Sequence, residues 1–470
     1  MDSQKRWVKK MAGITPLLVI GSLVLAACGG AAATPVPATP TTAPVAEATA
    51  TTPAAAEATP TEAMAAATPT EAMAEATATT PAGAEMPEVV APEGAADITF
   101  WHGYTGVEAE TMGQALQALT EKNPDFKVTV LAVPFDQLKN KVSTEAATGG
   151  GPDLFLGPPD WAGELAAANL IADLGAIEGL SDVTAELVPT SLDMGKYQGM
   201  QYGIPSNLKN VALYYNTDLV KTVPANTEEM ITMAGELATG DVTYGVALNT
   251  QFYHMIGYNF AYGGKLFTDE KTVDLTTQGT IDWLTFMQSA AGKPGVFAKG
   301  GADQDIDNLF KTGKAAMVFN GPWALGDYTA ALGEDKVKVV PAPDTPNGGK
   351  FAPFVGGDVY YVNASSTKQA EAVKLIDFIT SAAVQQAFVD AAGHVSTNTQ
   401  VDLSKNPNIQ GFVEQSKTGT PFPNIPAMGQ VWTPAGNMIT AVMDGQAEPA
   451  AAAKQATDEI NAAIAASGAR

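Results

Sequence analysis

The chain is poor in the residues that build cross-links, metal sites and anion grips. Its 470 residues include one cysteine, Cys28, so no internal disulfide can form. The three histidines, His102, His254 and His394, are scattered, and without a second cysteine a zinc site lacks its usual ligands. Positive charge is also scarce. There are 26 Lys and Arg against 50 Asp and Glu, a net charge of -24, which excludes the basic face that nucleic acid requires. No Gly-x-Ser-x-Gly elbow, His-Glu-x-x-His pair or Walker loop occurs, so the common hydrolase, metalloprotease and nucleotide signatures are missing. No cofactor is implied. Acidic residues are plentiful enough to hide a glycosidase pair, two carboxylates about 5–10 Å apart.

What is present begins at the N-terminus. Lys5, Arg6, Lys9 and Lys10 precede an apolar run from Ile14 to Ala27. A basic start, a short apolar middle and small residues at a cut site describe a secretory signal peptide over residues 1–27. At about 14 residues the run is shorter than the ~20 a membrane span needs. Leu25-Ala26-Ala27-Cys28 resembles the bacterial lipoprotein cleavage pattern. That resemblance implies lipidation of Cys28 and an acylated new N-terminus, and two or more acyl chains make a stable anchor. Removing Asp2 and the four leader cations leaves a mature net charge of -27.

From Gly29 to about residue 96 the composition collapses to Ala, Thr, Pro and Glu. Ala58-Thr59-Pro60-Thr61-Glu62-Ala63-Met64 recurs as Ala67-Thr68-Pro69-Thr70-Glu71-Ala72-Met73. With no aromatic residue this stretch cannot bury a core, and it reads as a disordered tether over residues 28–96. A flexible coil of about 67 residues spans roughly 45 Å, and proline stiffens it further. The same Thr and Pro would suit O-glycosylation.

The pattern changes at Asp97. Ile98 to Trp101 reads as a strand, Val107 to Lys122 as a helix stopped by Asn123-Pro124, and Phe126 to Val133 as a second strand. Phe135 to Ala147 reads as a helix, and Asp153 to Leu156 as a short buried strand. This alternation predicts an α/β fold with a parallel, doubly wound sheet. Ligands of such sheets sit beyond the carboxyl ends of the strands. Those ends here are His102-Gly103-Tyr104 and Gly157-Pro158-Pro159-Asp160-Trp161.

Several segments then line up in one order. They are Phe100-Trp101-His102, Val133-Pro134-Phe135, Gly151-Pro152-Asp153-Leu154-Phe155, Asp160-Trp161-Ala162-Gly163-Glu164-Leu165 and Gly203-Ile204-Pro205. Ala212-Leu213-Tyr214-Tyr215-Asn216, Asn320-Gly321-Pro322-Trp323, Pro353-Phe354-Val355-Gly356-Gly357 and Phe422-Pro423-Asn424-Ile425-Pro426 follow, with Trp432 beyond. This ordered set resembles the maltose/maltodextrin-binding proteins of sugar ABC importers, from Asp97 to about Ala465. The resemblance implies a two-lobed periplasmic-binding-protein fold with a ligand cleft between the lobes and three chain crossings at the hinge. On this sequence the N-terminal lobe is expected at 97–208 plus 358–403, and the C-terminal lobe at 212–353 plus 409–470.

Sugar recognition wants flat aromatic platforms for pyranose faces and planar polar groups for hydroxyls. By resemblance, Trp323, Tyr253 and Trp432 are the stacking residues, and Asp160 accepts from sugar hydroxyls. Trp161, His102 and Tyr104 are expected to face ligand. Lys209 and Gln251 stand where maltose binders usually place glutamate. Lys209 can only donate, and Gln251 accepts as a neutral group. Both changes predict that maltose is not the best ligand, and that a sugar offering acceptors near Lys209, such as one bearing a carboxylate, does better. The expected function is capture of an oligosaccharide by hinge closure and its delivery to an ABC permease, without catalysis. The expected partners are that sugar, the permease's transmembrane subunits and, through the anchor, the outer face of the cytoplasmic membrane. A monomer is expected. A secreted glycoside hydrolase and a carbohydrate-binding surface lipoprotein are the alternatives.

Overall fold

The computed structural model describes residues 86–298 and 303–468. The signal peptide, Cys28 and most of the tether lie outside the described residues. Ten strands carry the fold: β1 (Ala96–His102), β2 (Phe126–Ala132), β3 (Leu154–Gly157), β4 (Gly203–Pro205), β5 (Ala212–Asn216), β6 (Tyr244–Ala247), β7 (Val296–Phe297), β8 (Ala315–Asn320), β9 (Val337–Val340) and β10 (Val359–Val362). They form two five-stranded sheets, ordered β2-β1-β3-β10-β4 and β7-β6-β8-β5-β9. Each sheet is the centre of one lobe.

The sheets are mixed rather than parallel. β1 pairs in parallel with β2 and β3, but β10 runs antiparallel to β3 and β4. The cause is long-range: β10 belongs to the returning chain, which enters the first sheet after the second is complete. Likewise β5 is antiparallel to β8 and β9. Local alternation of strand and helix cannot report the direction of a strand that arrives from some 150 residues away.

Strand periodicity sets the core. Phe100, Leu154, Leu156, Tyr360 and Val362 point to one face of the first sheet and pack with the helix at Gln369–Thr380. Trp101, Phe155, Val359 and Tyr361 point to the other, under the helices at Phe135–Ala146 and Trp161–Ala167. With both faces covered, β3 and β10 are buried along their whole length, which is why they read as unbroken apolar runs. The second sheet does the same with Leu213, Val246, Met317 and Phe319 on one side and Tyr214, Ala247 and Val318 on the other.

The expected tether ends earlier than residue 96. Met86 to Gly94 already lies on the first lobe, with Val89 only 4% exposed in its core. Asn123 Nδ2 donates to the carbonyls of Pro92 (2.7 Å) and Gly94 (2.9 Å), and Lys374 Nζ donates to that of Glu93 (3.0 Å). Val89, with Met86 and Ala91 packed beside it, docks from a short, proline-broken stretch that leaves no periodic signal. Burying a valine is worth about 1.5–3 kcal/mol, less the cost of ordering the segment. A chain beginning at Ala96 should therefore be about 1–2 kcal/mol less stable to urea than one beginning at Met86. Equal unfolding midpoints would show that the segment contributes nothing.

Candidate functional site

The lobes meet where the chain crosses between sheets, and a buried charge cluster occupies that place. Lys209 and Gly356 pair backbone to backbone, 2.8 and 3.0 Å, tying the outgoing strand to the returning one. Lys209 Nζ lies 2.7 Å from Asp358 Oδ2 and 3.7 Å from Glu108 Oε1. Asp358 is further held by Tyr104, whose hydroxyl donates at 3.1 Å, and by Asn207. The Asn207 Nδ2 donates to its carboxylate at 2.8 Å, and Asn207 Oδ1 accepts from its backbone N–H at 2.9 Å. His394 Nε2 sits 2.6 Å from Glu108 Oε1, and its Nδ1 lies 3.2 Å from the Asn207 amide nitrogen. Since Asn207 donates to Nδ1, the imidazole proton sits on Nε2 and faces Glu108.

The charges hold one another. Burial pushes the Lys209 ammonium down, but Asp358 and Glu108 outweigh it and leave it above its ordinary value. Burial pushes Asp358 up, but Lys209 and Asn207 hold it below the usual carboxylate range. The Lys209 side chain is 16% exposed, so its charge is spent inside the protein. Its ammonium faces Asp358 and Glu108, whereas the sequence alone suggested an acceptor on the ligand. Two carboxylates against one lysine leave this corner acidic.

Beside the cluster runs a row of aromatic rings. Trp323 stands on the turn after β8. A Cβ on Gly321 would fall 1.9 Å from the indole, so only glycine fits there. Lys209 Nζ lies 5.5 Å from the Trp323 ring centre and 5.6 Å from that of Tyr104, within cation–π range. Tyr253, near the start of the helix at Phe252–Ala261, is 6.2 Å from Trp323, 6.0 Å from Phe422 and 6.5 Å from Trp432. Phe422 and Trp432 stack at 5.9 Å and 23°. Phe422 was not singled out from the sequence, although it opens the Phe422-Pro423-Asn424 segment.

The first lobe answers with Asp160. The Trp432 Nε1–H donates across the cleft to Asp160 Oδ2 at 2.9 Å. Asp160 Oδ1 is buried without a hydrogen-bond partner among the described residues. Burial pushes the Asp160 carboxyl up to about 6, with Lys139 and the Trp432 bond opposing only part of it. Trp161 is buried on Gly157, where any Cβ would lie 2.3 Å from its ring, and its ring stacks on the exposed Phe135.

The remaining expected residues divide. Gln251 is exposed at the residue before the helix that carries Tyr253, near the row. His102 and Tyr104 are buried beneath the site. His102 Nδ1 accepts from the Tyr104 N–H at 3.1 Å, and burial holds its pKa down to about 4 despite Glu108, so it is neutral at pH 7. Glu108, Asn207, Asp358 and His394 were missed, because buried ion partners far apart in sequence leave no local pattern.

The chain matches the model of the bacterial extracellular solute-binding proteins over residues 114–411. It belongs to that family. A maltooligosaccharide ABC transporter solute-binding lipoprotein of Streptococcus pneumoniae is 26% identical over 81% of this chain and 93% of that protein. A galactooligosaccharide-binding protein of Bacillus subtilis is 26% identical over 74% and 85%. The maltotriose-binding protein of Thermus thermophilus, solved with maltotriose, superposes with a TM-score of 0.72 at 29% identity, covering 78% of this chain and all of that one. This solute-binding protein therefore has the two-lobed fold of those structures.

Two predictions test the site's electrostatics. Asp160 has a folded pKa raised above its unfolded value, so its ionisation costs native stability. The cost is absent below pH 4, grows between pH 4 and 6, and is complete above, at about 3 kcal/mol for two units. Asp160→Asn, which keeps an acceptor for Trp432, should be more stable than the parent at pH 7.5 and equal to it at pH 3.5 in denaturant titrations. A pH-independent difference would refute the raised pKa. Lys209→Glu would put a third carboxylate against Glu108 and Asp358. Breaking a buried pair costs about 3–5 kcal/mol, and the variant should unfold accordingly; an unchanged midpoint would contradict the cluster.

Proposed function

We propose that this solute-binding protein captures an oligosaccharide between its lobes, maltodextrin-like in character, and delivers it to an ABC permease. The observation that carries the reading is the aromatic row Trp323, Tyr253, Phe422 and Trp432 on one lobe, facing the half-satisfied carboxylate of Asp160 on the other. Pyranose faces stack on such rings. A buried carboxylate oxygen without a partner gains a charge-assisted bond, worth about 1.5–3 kcal/mol, when a sugar hydroxyl reaches it.

In this reading the hinge lies at the three crossings, with lobes at 97–208 plus 358–403 and 212–353 plus 409–470. Ligand touches both lobes only when they are closed, so it shifts the population to the closed form, which the permease engages. Trp323, Tyr253, Trp432 and Asp160 contact the sugar. Gln251 reaches it from the rim, Trp161 backs the first lobe, and Lys209, Tyr104 and His102 shape the floor. The protein works as a monomer. Cys28 carries the lipid, and the tether lets the lobes range from the membrane surface. The resemblance to maltooligosaccharide and galactooligosaccharide binders supports an oligosaccharide without choosing the linkage. A hydrolase gains no support, since Asp358 and Glu108 are tied to Lys209, His394 and Asn207, and Asp160 to Trp432.

Thermal-shift screening should give stabilisation by neutral oligosaccharides and less by uronate-containing ones, because the floor is acidic. Stronger stabilisation by uronates would reverse this account of Lys209. Trp323→Ala should weaken binding of the best sugar by about 2–4 kcal/mol, the size of a central anchor, with little change in unfolding. Loss of stability with unaltered affinity would return Trp323 to a packing role. Cys28→Ser should move the protein from the membrane to the soluble or uncleaved fraction; a lipidated Ser variant would refute the anchor.

A further inference from the structure

The aromatic surface does not stop at Asp160. Phe135, the first residue of the helix at Phe135–Ala146, is 60% exposed, whereas the other phenylalanines are buried or partly buried. It stacks on Trp161 at 5.9 Å and 26°, and Trp161 follows Asp160 directly in the chain. Behind it lies Gly103, next to His102 at the carboxyl end of β1; a Cβ there would meet the Phe135 ring at 3.4 Å. Phe135 therefore stands at the carboxyl ends of the parallel strands, beside the turn that carries Asp160 and Trp161. A folded chain gains nothing by leaving a ring this size in water. The buried indole beneath fixes its orientation, so the exposed face is a preformed platform.

We infer that Phe135 is the stacking platform of an additional hexose subsite on the first lobe. It joins the Asp160 part of the site through Trp161, and it makes the protein select longer oligosaccharides over disaccharides. The inference rests on the oligosaccharide reading above. A short ligand is satisfied by the second-lobe row and by Asp160. A ligand with further units passing Asp160 meets Phe135, and the pre-ordered Phe135–Trp161 pair adds contact without ordering a new side chain. The face is apolar and bears no charge of its own, so the added unit is a neutral pyranose.

The test is a calorimetric titration of the full chain and of Phe135→Ala with a length series from disaccharide to hexasaccharide, in both the malto- and galacto-series. The parent should bind the longer members at least 10-fold more tightly than the disaccharide. Phe135→Ala should lose 10-fold or more on those members and under 2-fold on the disaccharide. Phe135→Tyr should restore the preference. Melting temperatures of both variants should match the parent, since the ring is exposed. Equal losses at every length, or no loss at any, would overturn the subsite while leaving sugar capture intact. Binding of no sugar in either series would overturn both.

Discussion

The contact between Lys209 and Asp358 is the constraint on which the rest of the molecule depends. These residues lie on the outgoing and returning strands that join the lobes, and their backbones are already paired through Gly356. Asn207 fixes Asp358 from both its carboxylate and its N–H, and Glu108 extends the network into the first helix of the first lobe. A charge buried this well is costly unless paired. The pair therefore holds the outgoing and returning crossings in register. The aromatic row is built directly against it, with Lys209 over Trp323. On the proposed reading, binding surface and hinge therefore share a residue.

Across the cleft the logic is different. Asp160 is held in a place that raises its pKa, with one oxygen bonded to Trp432 and the other unpartnered. That is an unfavourable way to keep a carboxylate in a protein without ligand. A hydroxyl donating to the second oxygen would offset that cost. On the proposed reading, stability sacrificed at Asp160 is recovered as affinity, which is the usual relation between a binding site and its scaffold.

Much of this was legible in the sequence. β1 and β2 follow a period-2 pattern, the two helices between Gly106 and Ala146 a period-3.6 pattern and β3 an unbroken apolar run, bounded by Asn123-Pro124 and the Gly149–Gly151 turn. Trp323, Tyr253, Trp432 and Asp160 stand in segments whose order carries the family resemblance, and the structure brings them together. What stayed hidden depends on contacts across long sequence separations. The reversed direction of β10 is set by a chain that has first built another lobe. Lys209 reads as a free donor until Asp358, almost 150 residues on, is placed beside it. Val89 reads as tether because the short stretch that docks with it, broken by Pro87 and Pro92, has no period. Phe135 stands in the Val133-Pro134-Phe135 segment, where nothing local marks it, since exposure is a property of the fold.

The central claim is that sugar lies between the Trp323–Trp432 row and Asp160. A crystal structure with the oligosaccharide that stabilises the protein most tests it directly. The account predicts pyranose rings over Trp323 and Trp432, with a hydroxyl within 3 Å or so of Asp160 Oδ1. Sugar bound on an outer face of either lobe, with Asp160 Oδ1 still unpartnered, would contradict it.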